Sequence, residues 1–391
     1  MNNAMKFASA TSIGRDLDKL TAELAAALRA SLDGAAVDLM ILFLSASFTR
    51  VAHVVANQLS QEFAPRVLLA CTTEGVIGST EEIENENGVS VIAAHLPNVT
   101  LAPFVLPPEA WEETAENETA FRMTVDPPPD TKLILMLADP YSMPMDQVLH
   151  AFNHYFPNLP LIGGMASAGN MAGANMLVLN RLVLRNGAVG VALAGDFEAD
   201  IIVSQGCRPI GQPYHVTQAE RNLMYELDDA PALERIREMV NDLSDEERDL
   251  LDNGLMVGRA VNVTQESLGR GDFLVRGVLG IDRSSGAVAI GDYISDQEIV
   301  QFHVRDQMTA LEDLELMLLP QMFTTPPKGA LLFSCNGRGT RLYDHPNGDI
   351  EIVQKVLGNI ALAGFFCAGE IGPIGGKNFL HGHTASMVIF R

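Results

Sequence analysis

One arrangement of residues recurs three times along the chain and restricts it to a layered α/β architecture. VDLMILFLSASF (37–48) is a continuous apolar run that ends in small polar residues. Residues 50–62 carry helical spacing, and RVLLACTTEGVIG (66–78) is a second apolar run with a small-residue exit. The order repeats in TKLILMLADPYS (131–142), 144–156 and LPLIGGMASAGN (159–170). It repeats again in KGALLFSCNGRG (328–339), 347–359 and ALAGFFCAGEIGPIGG (361–376). Runs that are apolar at every position suit strands buried on both faces of a parallel sheet, and strand, helix, strand reads as a βαβ unit. Leu44 to Cys71 spans 27 positions, Leu137 to Gly164 spans 27 and Phe333 to Cys367 spans 34, which is the mark of internal duplication. Each unit is followed by one more apolar run, at 88–97, 187–196 and 384–391. These read as antiparallel additions, so mixed sheets are expected.

Between the units the signals are more varied. Leu17, Leu20, Leu24 and Leu28 predict a first helix that stops at Gly34. Residues 272–306 alternate apolar runs with Ser-Ser-Gly and Gly-Asp turns and predict a meander of three short strands. Residues 217–252 read as helical and acidic, with SDEERDLLD as a solvated face or a docking surface. PFVLPPEAWEE (103–113) and DPPPD (126–130) read as connectors, and CRPIGQPYHVTQ (207–218) reads as a join. The expected fold is α/β, with two related halves whose mixed β-sheets are built from repeated βαβ units. The halves are expected at 1–210 and 211–391.

Composition narrows the function. A chain of 391 residues, 47% hydrophobic, has ample material for two or three packed cores. It holds 26 Lys and Arg against 49 Asp and Glu, a formal charge of −23. That field argues against nucleic acid and against anionic membrane as partners. The four cysteines, at 71, 207, 335 and 367, show neither C-x-x-C nor zinc-finger spacing, so free thiols in a reducing cytoplasm are expected. The N-terminal residues lack the apolar core of a signal peptide, and no apolar run reaches membrane-spanning length. The expected location is cytoplasmic.

FLSASF, LACTTEGVIG and LIGGMASAG resemble the N-terminal part of the FIST domain. FLVRGVLGID, FHVRD, LLFSCNGRG and GFFCAGEIGPIGGKNFLHGHTAS resemble its C-terminal part. The resemblance runs over roughly residues 35 to 391. It implies a sensory, ligand-binding module of the kind found in bacterial signalling proteins, with amino acids among the proposed ligands. No kinase, cyclase or methyl-accepting segment is recognised, so the expected output passes through a signalling partner.

In parallel α/β sheets, ligands bind beyond the C-terminal strand ends. Those ends carry Ser45, Glu74, Asp139, Ser167, Cys335-Asn336-Gly337-Arg338 and Glu370, which are small or polar and rich in glycine. Glu74 and Glu370 each lie three residues after a cysteine, which suggests equivalent places in the first and third units. A carboxylate there can accept from an ammonium group, and a guanidinium such as Arg338 suits a carboxylate. Arg338 and Glu370 could thus read the two ends of an amino-acid zwitterion, or pair with each other. His381-Gly382-His383 puts two imidazoles on one strand face, as hydrogen-bonding groups lining the site or as metal ligands. Cys335 could be a nucleophile with His381 or His383 as base, but no nucleophile-elbow motif surrounds it. Arg276, Arg305 and Asp306 could serve a ligand or bridge strand ends. GEIGPIGG lacks the phosphate-loop pattern and no G-x-G-x-x-G opens a helix, so no nucleotide cofactor is expected, and a metal is not expected because a third ligand for His381 and His383 would have to come from afar. The candidate ligand-binding residues are Ser45, Glu74, Asp139, Cys335, Asn336, Arg338, Glu370, His381 and His383.

The leading expectation is a small-molecule-binding sensory module without turnover. A cysteine- or metal-assisted hydrolase using Cys335, His381, His383 and Glu370 is the first alternative. A non-enzymatic adaptor docking a signalling partner through 217–252 is the second. A homo-oligomer is compatible with each.

Overall fold

The three-fold recurrence seen in the sequence is complete in space, and each copy is longer than a βαβ unit. The structure, a computed structural model, describes residues 4–109, 111–261, 268–269 and 271–391. Every copy runs lead strand, helix, strand, helix, strand, hairpin, closing strand. In the first copy these are Lys6–Ile13, Leu17–Leu32, Leu39–Ser45, Ala52–Phe63, Val67–Thr73, the pair Val76–Ile77 and Glu82–Ile83, and Gly88–His95. In the second they are Val99–Leu106, Trp111–Glu116 with Glu118–Val125, Thr131–Ala138, Met145–Tyr155, Leu161–Met165, the pair Leu177–Leu179 and Leu182–Leu184, and Ala188–Gly195. In the third they are Ala199–Gln205, Gln307–Leu318, Gly329–Cys335, Gly348–Leu357, Ala361–Cys367, the pair Glu370–Ile374 and Lys377–His381, and Thr384–Phe390. Two copies occupy residues 6–195, and the third runs from 199 to 390 with 207–306 inserted in it; the three sheets of the copies mix parallel and antiparallel pairings.

Contacts divide the described chain into two compact units. One comprises residues 1–203, 314–380 and 384–391, and the other comprises 204–313 with 381–383.

The first two closing strands are antiparallel to both their neighbours, and Thr384–Phe390 is antiparallel to Gly329–Cys335, as expected. Gly88–His95 lies between Lys6–Ile13 and Leu39–Ser45. The hairpins do not stay with their own copies. The first copy's hairpin adds to the third sheet beside Ala361–Cys367, the second's adds to the first sheet beside Val67–Thr73, and the third's adds to the second sheet beside Leu161–Met165. Each copy thus gives one hairpin and receives one, in a cycle. A polar side chain pins each hairpin to its host. Glu82 Oε1 accepts from the N–H groups of Asp349 and Ile350, capping the start of Gly348–Leu357. Asn180 Oδ1 accepts from Leu68 N, and Asn378 Oδ1 accepts from Leu161 N.

Strand alternation builds the cores. Leu39, Ile41 and Phe43, Leu133, Leu135 and Leu137, and Leu331 and Phe333 point inward and share one central cluster across the three sheets. The intervening residues point outward under helices. Met40, Leu42 and Leu44 meet Leu20, Leu24, Leu28, Val55 and Leu59, and Leu332 meets Leu314, Ile350 and Val353. Both faces are buried, which explains the unbroken apolar runs. At Gly364 an added Cβ would lie 2.0 Å from the backbone oxygen of Leu332 on the neighbouring strand. Gly364→Ala is expected to cost about 1–3 kcal/mol, the usual range for overpacking. A urea midpoint read at Trp111, the chain's single tryptophan and a buried residue of this unit, measures it.

The structure redraws four segments. PFVLPPEAWEE is not a connector throughout, because Pro103 lies within Val99–Leu106, the edge strand of its sheet, where a missing N–H is tolerated. Ala110 of that run lies outside the described residues. Residues 207–218, read as a join, form most of one strand, Cys207–Glu220. The 217–252 stretch is α-helical only at Ala232–Asp242 and Asp245–Leu250, with a 3₁₀ turn at Leu251–Asn253, because Leu223–Leu227 and Ala230–Pro231 are strands. The three strands of 272–306 exist, but they are not a meander. Ile299–Arg305 skips Val288–Ile290 and pairs with Leu255–Ala260 and Cys207–Glu220. The physical reason is closure. Six antiparallel strands of the second unit pair in a ring, with Cys207–Glu220 bonded to both Ile299–Arg305 and Leu223–Leu227, and this leaves no open edge between them.

Val216, Met224, Val257, Val288, Val300 and Phe302 are buried in the barrel's core, with Ile236 and Met239 of the helix Ala232–Asp242 packed in the same cluster. Arg276 Nε donates to Asp292 Oδ2 at 3.1 Å, and Arg259 bridges Asp292 and Glu298 at 2.6 and 2.7 Å, so Arg276 ties barrel segments together. Asp306 accepts from Thr309 Oγ1 and Met308 N at the start of Gln307–Leu318.

Candidate functional site

Register shows which strand-end residues correspond. Thr72 N, Met165 N and Phe366 N each donate to an incoming hairpin, to Met176 O, Gly369 O and Gly75 O. Counting from these bonds, Ser45, Asp139 and Cys335 are equivalent, and so are Glu74, Ser167 and Ala368. Glu370, which opens a hairpin strand, corresponds to Val76 and Leu177. The equivalence of Glu74 and Glu370 suggested by the cysteine spacing therefore does not hold. Cys71 lies opposite Phe43 in its sheet, whereas Cys367 lies opposite Cys335, the third copy's counterpart of Ser45.

The equivalent positions carry different chemistry. Ser45 Oγ accepts from Gly88 N at 3.0 Å. Asp139 accepts from Tyr141 N, Ser142 Oγ and Asn175 Nδ2 at 3.2, 2.7 and 2.9 Å, so its carboxylate is satisfied by its own turn and by Asn175. Cys335 Sγ accepts from Gly337 N at 3.4 Å.

Glu74 and Asn336 meet in a pocket of about 130 Å³ between the first and third copies. Gly75, Glu84, Asn85, Thr340, Arg341 and Phe366 complete it. Glu74 takes both terminal nitrogens of Arg341, with Nη1 donating to Oε2 at 3.1 Å and Nη2 to Oε1. Asn336 Nδ2 donates to Glu74 Oε2 at 3.3 Å, and Arg341 Nη1 also donates to Asn336 O at 2.7 Å. Ser167 Oγ of the second copy accepts from Glu74 N at 2.8 Å and donates to Phe366 O. A short 3₁₀ turn, Gly339–Arg341, delivers Arg341. Thr340 N and Oγ1 hold its start on Glu84 at 2.9 and 3.0 Å. Gly339 has φ +57°, and a Cβ there would lie 2.6 Å from Glu84 Oε1, so the turn needs glycine.

Arg338 is elsewhere. It is fully buried, its Nη2 lies 2.6 Å from Asp349 Oδ1, and its Nε reaches both Asp349 oxygens. Tyr343 OH accepts from Arg338 and donates to Asp349, each at 2.7 Å, and Ser334 Oγ donates to Asp349 at 2.7 Å. Burial works against the charge on Asp349, but the Arg338 guanidinium outweighs it and holds the carboxyl below its ordinary value. Glu370 is also fully buried. Its Oε2 accepts from Thr384 N and Oγ1 at 3.2 and 2.9 Å, while Oε1 takes no hydrogen bond. Burial pushes this carboxyl up to about 8, against the pull of Thr384, Arg338 and Cys335.

Of the nine residues marked in the sequence, Glu74 and Asn336 line the pocket, and Cys335 immediately precedes Asn336. Ser45, Asp139 and Arg338 are engaged as described. His381 and His383 group with the second unit, where His383 O accepts from Gly206 N. Among the described residues no group of three or more His, Cys, Asp or Glu side chains is placed to hold a metal ion. Sequence reasoning missed Arg341, Thr340, Glu84 and Asn85. Arg341 had a signal, since it lies three residues beyond Arg338 in the same glycine-rich turn. Glu84 and Asn85 had none, because they arrive just beyond the hairpin that the first copy donates.

Residues 38–230 match the family model of the FIST N domain, and residues 232–373 match that of the FIST C domain. An uncharacterized protein of Mycobacterium tuberculosis is 37% identical over 397 aligned residues, covering 99% of this chain and all of that protein. An uncharacterized protein of Mycobacterium bovis is 37% identical over 386 residues, 96% of each.

Proposed function

The chain belongs to the FIST family, whose domains are signalling-associated sensory modules, and on that premise we propose that it senses a small zwitterionic metabolite of the amino-acid class in the Glu74–Arg341 pocket. The observation that carries this reading is the openness of one ion pair. The side chains of Glu74 and Arg341 are 39% and 54% exposed. An exposed pair of this kind contributes only about 0–1 kcal/mol. A ligand can part it cheaply, offering an ammonium to Glu74 and a carboxylate to the planar fork of Arg341. Asn336, Asn85 and Thr340 add neutral donors and acceptors. The small volume favours a ligand well below drug size, whose sites run to roughly 300–1,000 Å³. Arg341 thus takes the part that the sequence suggested for Arg338.

No turnover is needed. Ligand occupancy would change the 3₁₀ turn and the hairpin end that meet there, and the output would pass to a protein partner. No helix among the described residues is long and apolar enough to cross a membrane. A cytoplasmic setting is part of this reading, because the spacing of the four cysteines suits free thiols in a reducing compartment.

The test is a thermal-shift screen against amino acids, short peptides, organic acids and nucleotides. A ligand at 100 times its dissociation constant adds about 2.7 kcal/mol. At roughly 2–4 °C per kcal/mol, a shift of about 5–10 °C is expected with one amino-acid-class compound. Arg341→Ala and Glu74→Gln are each expected to abolish it. A shift that survives both substitutions, or a response confined to nucleotides, defeats the reading.

A further inference from the structure

We propose that Cys335 and Cys367 form a dithiol site for hydroperoxides, in which Cys335 is oxidised first and Cys367 resolves it to a disulfide. This goes beyond the sensory reading and does not depend on which ligand the neighbouring pocket takes.

The two cysteines are register partners on adjacent parallel strands, and each is the last residue of its strand. Two residues earlier, Phe333 and Phe365 are also register partners, and their rings pack edge to face at 5.7 Å. Positions two apart share a face, so both sulfurs project towards the same side of the sheet. Neighbouring strands lie about 4.8 Å apart, inside the roughly 4.4–6.8 Å Cα separation that a disulfide accepts. Strand ends can yield the small shift that closure needs. Gly164 leaves room for the Cys367 sulfur, since a Cβ there would lie 2.4 Å from it.

The surroundings distinguish the two roles. Cys335 is the most exposed of the four thiols at 7%, against 0% for Cys367, 1% for Cys71 and 3% for Cys207. Its Sγ accepts the Gly337 N–H, and both Arg338 and Arg341 feel its charge. Cys335 is thus the sulfur more accessible to an incoming peroxide, with a backbone donor and two guanidiniums near it. Cys367 lies deeper, where burial pushes its thiol well above the ordinary range, so it reacts second. The buried Glu370 carboxyl also neighbours the Cys335 thiol.

The chemistry balances with one hydroperoxide. The Cys335 sulfur attacks one peroxide oxygen, the O–O bond breaks and the sulfur becomes a sulfenic acid, while the thiol proton joins the departing oxygen, as water from hydrogen peroxide or an alcohol from an organic hydroperoxide. The Cys367 sulfur then displaces the sulfenic hydroxyl, its own proton leaves with that hydroxyl as water, and the S–S bond forms. Two thiols are oxidised by two electrons and one peroxide is reduced by two.

The experiment treats the full-length reduced protein with hydrogen peroxide, blocks remaining thiols with N-ethylmaleimide and maps the peptides without reduction. A Cys335–Cys367 cross-link, lighter by about 2 Da and reversed by dithiothreitol, is expected. Cys335→Ser is expected to abolish it. Cys367→Ser and Cys367→Ala are each expected to halt at a dimedone-reactive product on Cys335, heavier by about 16 Da. Urea midpoints read at Trp111 confirm that each variant folds. A cross-link through Cys71, or oxidation of Cys335 no faster than that of Cys207, overturns the proposal.

Discussion

Replacing Asp349 with alanine is expected to destabilise the first unit by about 3–5 kcal/mol, the usual consequence of stranding one member of a buried ion pair. Asp349 is the acceptor at the centre of a closed group. Arg338 reaches it through Nε and Nη2, while Tyr343 and Ser334 each donate a hydroxyl. Removing the carboxylate leaves a guanidinium with no solvent access and two hydroxyls without their acceptor. The damage extends to the first copy's hairpin. Glu82 caps the helix that begins at Gly348 through Asp349 N and Ile350 N, so strain in that turn loosens the hairpin's hold on the third sheet. Urea unfolding followed at Trp111 measures the loss. The double variant Arg338→Met with Asp349→Leu is expected to recover most of it, because a buried pair and an apolar pair of similar volume are often equivalent. A loss below about 1 kcal/mol in Asp349→Ala would show that water reaches Arg338, and the account of this group would fail.

The sequence reported some levels of this structure well and others not at all. The βαβ repeats were legible because their strands are buried on both faces, and burial writes itself as an unbroken apolar run. The closing strands at 88–97, 187–196 and 384–391 were legible for the same reason. The cyclic exchange of hairpins was not. Val76–Ile77 and Glu82–Ile83 are too short to show periodicity, and their partners lie some 290 positions away, as in Val76 opposite Phe365. This hidden exchange decides the site, since it places Glu84 against Thr340 and Glu82 against Asp349. Barrel closure was illegible in the same way. Ile299–Arg305 alternates like any strand, and nothing local says that it skips its neighbour to pair with Cys207–Glu220. Glu74 and Asn336 were legible as polar residues at strand exits. The choice between Arg338 and Arg341 was not, because the two lie in one turn and only the side-chain direction separates the buried charge from the open one.

Raising the pH from about 5.5 to 8 is expected to weaken the first unit progressively, which is the opposite of the trend for a salt-bridged carboxylate. Glu370 is buried with one oxygen unbonded, and its pKa is raised to about 8 from an ordinary value near 4.5. Between those values the unfolded chain has released the proton while the folded chain keeps it. The folded state therefore binds more protons, and stability falls as pH rises, by at most about 1.4 kcal/mol per pH unit for this group. The groups facing it are Thr384, which donates to Oε2, together with Arg338 and the Cys335 and Cys367 thiols. Glu82 acts in the same direction, also raised to about 8, by burial and by the charge of Asp349. Glu370→Gln removes one of the two contributions while keeping an acceptor for Thr384. The variant is expected to show a shallower decline in the urea midpoint between pH 5.5 and 8, and to exceed the parent protein in stability at pH 8. A decline as steep as the parent's would show that Glu370 is ionised in the folded state at neutral pH, with Arg338 as its effective counter-charge.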